Sequence, residues 1–105
     1  MANKPPKKHF QNLVSKFPEV MSALGNLGAT TRSAGPLDKK TTELIQLGVA
    51  AASQSTGAVQ SHARRALEAG ASNEEIQHAL IVLITTIGYP KVAAALAWIQ
   101  GELDT

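Results

Sequence analysis

The sequence ELIQLGVAAASQSTGAVQSH, residues Glu43 to His62, decides how the chain folds, because it joins two apolar segments through a short turn of small residues. Glu43 and His62 stand at its two ends, and Ser55 and Ala58 lie between them. From the first of these four residues to the last, the successive separations are 12, 3 and 4 positions. On two helices joined by a turn, such spacings bring side chains to one place. We therefore predict a candidate site at this turn.

Outside this stretch, apolar residues recur at intervals of three and four, which is typical of amphipathic helices. The hydrophobic fraction is 44% but only 4% of the residues are aromatic, a composition that favours packed helices over sandwiched strands. Ser72 followed by Glu75 forms a capping box that opens one of these helices. The predicted helices cover about residues 10–17, 18–27, 39–53, 58–69, 73–87 and 90–103. We predict an all-α fold, a six-helix bundle in a single domain over residues 10–105.

The basic residues are concentrated at the start of the chain, where Lys4, Lys7 and Lys8 accompany two prolines. We interpret residues 1–9 as a disordered basic arm, which leaves the rest of the chain close to neutral within a formal net charge of +2. No aromatic residues alternate with the basic ones and no basic helix face follows them. Nucleic-acid binding is therefore not predicted.

The chain contains no cysteine, which excludes disulfides, thiolate metal ligands and thiol catalysis by its own side chains. The apolar run from Ala79 to Ile84 is far shorter than the ~20 residues that a membrane span requires. No signal peptide is expected, because no apolar segment follows the basic start. We expect a cytoplasmic protein that does not contact the membrane.

The order of these features resembles a known family. A glutamate in an apolar helix is followed by a turn, a histidine on the next helix, GASNEEI at residues 70–76, an apolar helix and GYP at residues 88–90. Over about residues 37–103 this order resembles the carboxymuconolactone decarboxylase and alkylhydroperoxidase D-like superfamily. The resemblance implies a carboxymuconolactone decarboxylase-like bundle that forms a homo-oligomer, a trimer or hexamer. The apolar surface on all sides of the fifth helix, including Ile81 and Val82, separately favours a partner surface.

In the redox branch of this superfamily, the resemblance implies a Cys-x-x-Cys-x-x-x-His motif after a glutamate, with the glutamate and histidine relaying protons to the thiols. The two cysteine positions fall on Ser55 and Ala58, while Glu43 and His62 occupy the proton-relay positions. Alanine has no reactive atom, and a serine hydroxyl neither forms a disulfide nor ionises as a thiol does. The redox centre of a thiol peroxidase is therefore absent from this chain.

The decarboxylase branch, as the resemblance implies, needs no cysteine pair and transfers protons with a histidine on the equivalent helix. His62 can serve there, because an imidazole exchanges protons near neutral pH. That branch also carries tryptophan and arginine ahead of the glutamate helix. Here Arg32 is the only basic residue of that region, and the single tryptophan is Trp98.

Each candidate also has an ordinary structural role. Glu43 can pair with Lys39 or Lys40, His62 can be a half-buried histidine of the helix interface, and Ser55 can cap a helix. A Ser55, His62, Glu43 hydrolase is an outside hypothesis, since serine catalysis also needs an oxyanion hole. His62 and His78 are sixteen residues apart on different predicted helices and His9 belongs to the arm, so we expect no metal and no cofactor.

Three functions follow from these observations. The first is an inactive oligomeric scaffold whose cysteines were replaced naturally or by engineering, including use as a component of a designed assembly with a second protein. The second is a cysteine-independent decarboxylase or isomerase that uses His62 and Glu43. The third function belongs to a parent protein that has cysteines at positions 55 and 58. That parent would be an antioxidant enzyme of the alkylhydroperoxidase type with peroxiredoxin activity.

Overall fold

A computed structural model describes residues 5–103 of the chain, with side chains from residue 8 onward. Over these residues every regular element is helical and no strand occurs. The helices are α1 (Pro5–Lys16), α2 (Pro18–Arg32), α3 (Lys39–Ala52), α4 (Thr56–Glu68), α5 (Asn73–Ile81), α6 (Ile84–Ile87) and α7 (Tyr89–Trp98). The all-α prediction is confirmed. The chain divides into two compact units, Met1–Pro36 and Leu37–Thr105, where the sequence predicted a single domain over residues 10–105.

In the first unit α1 packs against α2. The first helix begins at Pro5, so residues 5–9 of the predicted disordered arm are helical, whereas residues 1–4 lie outside the described part. The physical reason is that proline is well tolerated in the first turn of a helix, where its missing N–H has no intrahelical partner to lose. The division at Pro36 follows the loop that the sequence predicted between the second and third helices.

Helix α2 extends to Arg32, about one turn beyond its predicted end near Leu27. The Thr31 hydroxyl donates to the Gly28 carbonyl at 2.9 Å, and the Ser33 hydroxyl donates to the Ala29 carbonyl at 3.0 Å. The Ala29 carbonyl also accepts from the Ser33 N–H at 3.1 Å, so the two hydroxyls add local hydrogen bonds to the final turns of the helix. Local hydrogen bonding therefore prolongs a helix whose composition predicted a loop.

The second unit contains the buried core, in which α3 packs most extensively against α4. The buried core side chains come from α3, α4, α5, α7 and the residues that join or follow them: Leu47, Ala50, Ala51, Val59, Ala63, Ala66, Ala71, Ile76, Leu80, Val92, Ala95 and Ile99. Half of them are alanines. Such small side chains let the helix axes approach closely, and this approach places the candidate residues of α3 and α4 side by side.

Defined hydrogen bonds fix the junction between α4 and α5. The Ala71 N–H donates to the Ala66 carbonyl and the Gly70 N–H to the Leu67 carbonyl, the pattern of a Schellman motif, with Gly70 at φ +100°. The next helix begins with the predicted capping box, because Ser72 accepts from the Glu75 N–H and Glu75 accepts from the Ser72 N–H. This sequence-predicted boundary is confirmed.

The predicted fifth helix is divided into α5 and the single turn α6. The Leu83 N–H bonds the Leu80 carbonyl, three residues back, so the helix tightens and its ladder is interrupted at this point. Leu83 lies over Gly48 of α3, where an added Cβ would stand 3.5 Å from Leu83 Cδ1. The interruption thus coincides with a packing contact between distant segments. The last helix ends at Trp98, earlier than the predicted residue 103.

Candidate functional site

Glu43 and His62 form a hydrogen-bonded pair across the α3–α4 interface. Each lies in the second turn of its helix, and His62 Nδ1 is 2.9 Å from Glu43 Oε1. The Glu43 side chain is 1% exposed and that of His62 is 19% exposed. An ionised carboxylate only accepts hydrogen bonds, so with Glu43 ionised the proton of a neutral imidazole resides on Nδ1. The remaining ring nitrogen, Nε2, then holds a lone pair that can accept a proton.

A pocket of about 310 Å³ lies beside this pair. Its apolar wall consists of Val49, Ala50 and Ala58. Its polar groups come from α3, from the turn after it and from α4: Gln46, Ser53, Ser55 and His62. A mostly apolar concavity with a few convergent polar groups is the usual form of a small-molecule site. The structure therefore brings three of the four predicted site residues, Ser55, Ala58 and His62, to one pocket. The fourth, Glu43, is hydrogen-bonded to His62.

The turn between α3 and α4 comprises residues 53–55 and sets the position of Ser55. Gln54 has φ 55°, a left-handed conformation, and Ser55 is extended as the N-cap of α4. The position agrees with the predicted capping role, but the Ser55 side chain makes no capping hydrogen bond. Its side chain is exposed and borders the pocket instead.

Gln46 is one of four pocket residues that the sequence did not predict. Its Oε1 atom is buried and has no hydrogen-bond partner among the described residues. The only available signal was its spacing, because a residue three positions after Glu43 lies one turn further along the same helix face. Glutamine is so common on helices that this spacing alone predicts nothing about binding. The three other missed residues, Val49, Ala50 and Ser53, line the same pocket.

Lys40 pairs with Glu75 at 3.1 Å, while Glu43 is hydrogen-bonded to His62. The backbone N–H of Ser72 and then the Lys40 ammonium hold the pKa of Glu75 below its ordinary value. These bonds belong to the helix start and not to the pocket. His78 is exposed on α5, as expected.

Within residues 5–103, no three side chains of the types His, Cys, Asp or Glu lie close enough together to share a metal ion. In that same part of the chain, no helix has both the length and the apolar character that crossing a membrane requires.

Comparison with known proteins identifies the family of the chain. The sequence model of the carboxymuconolactone decarboxylase family matches residues 18–101. The chain belongs to the carboxymuconolactone decarboxylase family. A crystal structure of a carboxymuconolactone decarboxylase family protein from Legionella pneumophila, determined in its apo form, superposes with a TM-score of 0.83 at 27% identity, over 96% of this chain and 93% of that one.

Two sequence relatives extend this result. An uncharacterized protein of Methanocaldococcus jannaschii is 30% identical over 91% of this chain and 90% of its own length. An uncharacterized protein of Haemophilus influenzae is 38% identical over 57% of this chain, and the match spans 53% of that protein. The names of both relatives describe no activity, so the chemistry of this carboxymuconolactone decarboxylase family member depends on the evidence of its own residues.

Proposed function

We propose that this carboxymuconolactone decarboxylase family subunit transfers protons to or from a small organic molecule, with His62 as the acid–base group and Glu43 as its orienting partner. The observation that carries the proposal is the 2.9 Å bond between the two side chains, with His62 facing a pocket of about 310 Å³. If the Glu43–His62 pair had only a structural role, no pocket would be needed beside it. A pocket without this pair would offer no side chain that can accept a proton. Their combination supports acid–base chemistry.

In the proposed reaction, Nε2 of His62 removes a proton from an acidic C–H of the bound molecule, and the electron pair of that bond moves into the adjacent carbonyl. The resulting imidazolium is stabilised by the Glu43 carboxylate on Nδ1. Returning the proton to another carbon completes an isomerisation. In a decarboxylation, carbon–carbon cleavage releases carbon dioxide and a protonated His62 supplies the proton to the carbon left behind.

Proton exchange into small lactones and ketones tests this proposal. The protein is incubated in D₂O with α-angelica lactone and a panel of such compounds, and deuterium incorporation is followed by ¹H NMR. We expect His62→Ala and Glu43→Gln to lower the exchange rate at least about 100-fold, the usual scale of acid–base catalysis. His78→Ala is the matched control, since His78 is an exposed histidine outside the pocket. Exchange at the background rate in the unsubstituted protein would refute the proposal.

The thiol peroxidase reaction has no sulfur to use here, because the chain contains no cysteine. Ser55 and Ala58 nevertheless line the same pocket as His62. The double variant Ser55→Cys, Ala58→Cys therefore tests the proposed relation to a thiol-bearing parent. Dithiol-dependent turnover of hydrogen peroxide by the double variant would support it, and an inert double variant with both thiols reduced would count against it.

An oligomeric scaffold without catalytic activity is the second candidate, and the exposed apolar side chains of α2 favour it. Val20, Leu24 and Leu27 are 63%, 57% and 60% exposed, and no residue of α2 is buried. Their spacing places them on one helix face. We propose that a second copy of the chain covers this face within a homo-oligomer, a trimer or hexamer. Such an oligomer together with background proton exchange would favour the scaffold over the enzyme.

A further inference from the structure

The proposed reaction develops a negative charge on an oxygen atom, and neither His62 nor Glu43 can stabilise that oxygen. When the C–H bond breaks, its proton goes to Nε2 of His62 and its electron pair leaves the charge on the carbonyl oxygen of the bound molecule. The Nδ1 proton of His62 is bonded to Glu43, and an ionised carboxylate only accepts hydrogen bonds. The same oxygen carries the charge when carbon dioxide is lost. Both proposed reactions therefore require a separate hydrogen-bond donor in the pocket.

Three other residues of the pocket lining carry a side-chain donor: the hydroxyls of Ser53 and Ser55 and the amide of Gln46. Gln46 belongs to α3 and Ser53 is the C-cap of that helix. Ser55, Ala58 and His62, in contrast, follow one another along α4 at intervals of three and four, which places them on one helix face. A molecule that lies over Ala58 thus has Ser55 at one end and His62 at the other.

The Ser55 hydroxyl is accessible to such a molecule. Ser55 is the N-cap of α4, a position where a serine hydroxyl usually accepts from an N–H of the first turn. Here the side chain makes no capping hydrogen bond, is exposed and lines the pocket. Seven positions along α4 correspond to about 10 Å, and helical side chains lean toward the N-terminus, which brings the His62 ring closer to Ser55. A small molecule can span the remaining interval.

We infer that the Ser55 hydroxyl donates a hydrogen bond to the carbonyl oxygen of the bound molecule and stabilises the enolate that forms when His62 removes the proton. This inference rests on the proposed function for the group that reacts at His62. Ser55 keeps its own proton and forms no covalent bond, so its role differs from that of the nucleophile in a serine hydrolase. The substrate is then a small carbonyl compound, a lactone or ketone, whose oxygen meets Ser55 while its acidic C–H meets His62.

Deuterium exchange into α-angelica lactone measures the contribution of this hydroxyl to the reaction. Ser55→Ala should lower kcat for exchange about 100-fold, the scale for loss of one oxyanion donor, with a smaller change in KM. Ser55→Thr retains a hydroxyl and should keep most of the activity, whereas Ser61→Ala, on α4 but outside the pocket, should leave it unchanged. Catalysed exchange that is as fast in Ser55→Ala as in the unsubstituted protein, or a comparable loss in Ser53→Ala, would overturn the inference.

A ketone that binds without net reaction separates this inference from the proposed function. Cyclopentanone labelled with ¹³C at its carbonyl is titrated into the full chain, and the resonance of the bound carbonyl is measured by ¹³C NMR. A hydrogen-bond donor withdraws electron density from the carbonyl carbon, so Ser55→Ala should move the bound resonance upfield, whereas Ser61→Ala should not. His62→Ala should abolish proton exchange, yet Ser55→Ala should still cause the upfield shift when it is added to His62→Ala.

The carbonyl resonance decides the inference even where the unsubstituted protein exchanges protons only at the background rate. An identical bound resonance in the unsubstituted protein and in Ser55→Ala, or no binding of cyclopentanone, would overturn it. The melting temperature of Ser55→Ala should stay nearly unchanged, because the side chain makes no capping hydrogen bond. A lower melting temperature together with an unchanged carbonyl resonance would show that Ser55 has a structural role instead, and would also overturn the inference.

Discussion

Helices α2 and α3 have similar lengths, 15 and 14 residues, and both carry an apolar stripe, yet their surroundings differ completely. Helix α3 buries Glu43, Leu47, Ala50 and Ala51, while α2 buries no residue. Their ends differ as well. Asp38 caps α3 by accepting from the Thr41 N–H at 2.8 Å, whereas Phe17 precedes α2 without a side-chain cap. Helix α3 is stabilised both by buried side chains and by a side-chain cap. Helix α2 has neither.

This difference shows that an amphipathic pattern predicts a helix without predicting what covers it. The stripe of α3 is covered by α4, α5 and α7, so it contributes to the stability of the folded subunit. The stripe of α2 leaves Val20, Leu24 and Leu27 mostly exposed, so its hydrophobic contribution is still available for association. Each of the following predictions tests this contrast.

Truncating one leucine in each helix gives the largest expected contrast. Leu47 is fully buried, so Leu47→Ala should lower the free energy of unfolding by about 2–5 kcal/mol through lost contacts and a residual cavity. Leu24 is 57% exposed, so Leu24→Ala should lower it by less than about 1 kcal/mol in dilute protein. Urea denaturation followed by circular dichroism measures both. Equal losses would show that α2 is as well packed as α3.

A charge on the exposed stripe tests the proposed association. Leu24→Glu should raise the dissociation constant of the homo-oligomer at least about 100-fold, roughly 2.7 kcal/mol, because a carboxylate would be buried in an apolar contact. Light scattering should then report a mass near the subunit value of 11.0 kDa. Ser22→Glu is the control, because Ser22 lies about 200° around the helix from Val20. An unsubstituted chain that is already monomeric at micromolar concentration would contradict the proposed cover for α2.

The sequence was sufficient at two places where short-range chemistry decides the structure. The capping box at Ser72 and Glu75 depends on residues three apart, and the convergence of Glu43 with His62 depends on two helices joined by a short turn. Both predictions were correct because few alternative geometries satisfy those spacings. The family resemblance was confirmed for a similar reason, since it rested on the order of several such local features.

Features decided by distant contacts were not predictable. The break between α5 and α6 contains neither proline nor glycine, and it lies where Leu83 packs over Gly48 from another helix. The unpartnered Oε1 of Gln46 is likewise a product of tertiary packing, since the identity of the residue gives no sign that its amide will be buried. The proposed cover of α2 is the extreme case, because it would come from a second copy of the chain.

Acid pH tests the contrast between capped and uncapped helix starts. Hydrogen bonds from the side chain and then the backbone of Thr41 lower the pKa of Asp38, as the Ser72 N–H and Lys40 lower that of Glu75. A carboxylate whose pKa is lower in the folded state stabilises the protein above its unfolded pKa, and this contribution disappears as the pH falls through the folded value. The free energy of unfolding should therefore fall as the pH drops below the ordinary carboxylate range, near 4.

The combined variant Asp38→Asn, Glu75→Gln cannot titrate at these two positions. Its stability should depend less steeply on pH in the acid range than that of the unsubstituted protein. The total difference should be smaller than the loss from Leu47→Ala, because both groups are exposed to solvent. Urea denaturation between pH 7 and pH 3 measures the slope. Identical slopes would mean that these caps contribute no pH-dependent stability to α3 and α5.

The smallest expected effect concerns the turn that follows α3, where Gln54 carries backbone strain. Gln54 has a positive φ of 55°, a conformation that disfavours side chains with a Cβ by about 1–2 kcal/mol. Gln54→Gly removes that strain but adds freedom to the unfolded chain, so the net stabilisation should be about 0.5 kcal/mol. Gln54→Ala keeps the Cβ and should give no stabilisation, which makes it the matched control in thermal unfolding. Since the turn positions Ser55 beside the pocket, a Gln54→Gly variant that is more stable but exchanges substrate protons more slowly would show that the strained turn holds the site in its working geometry.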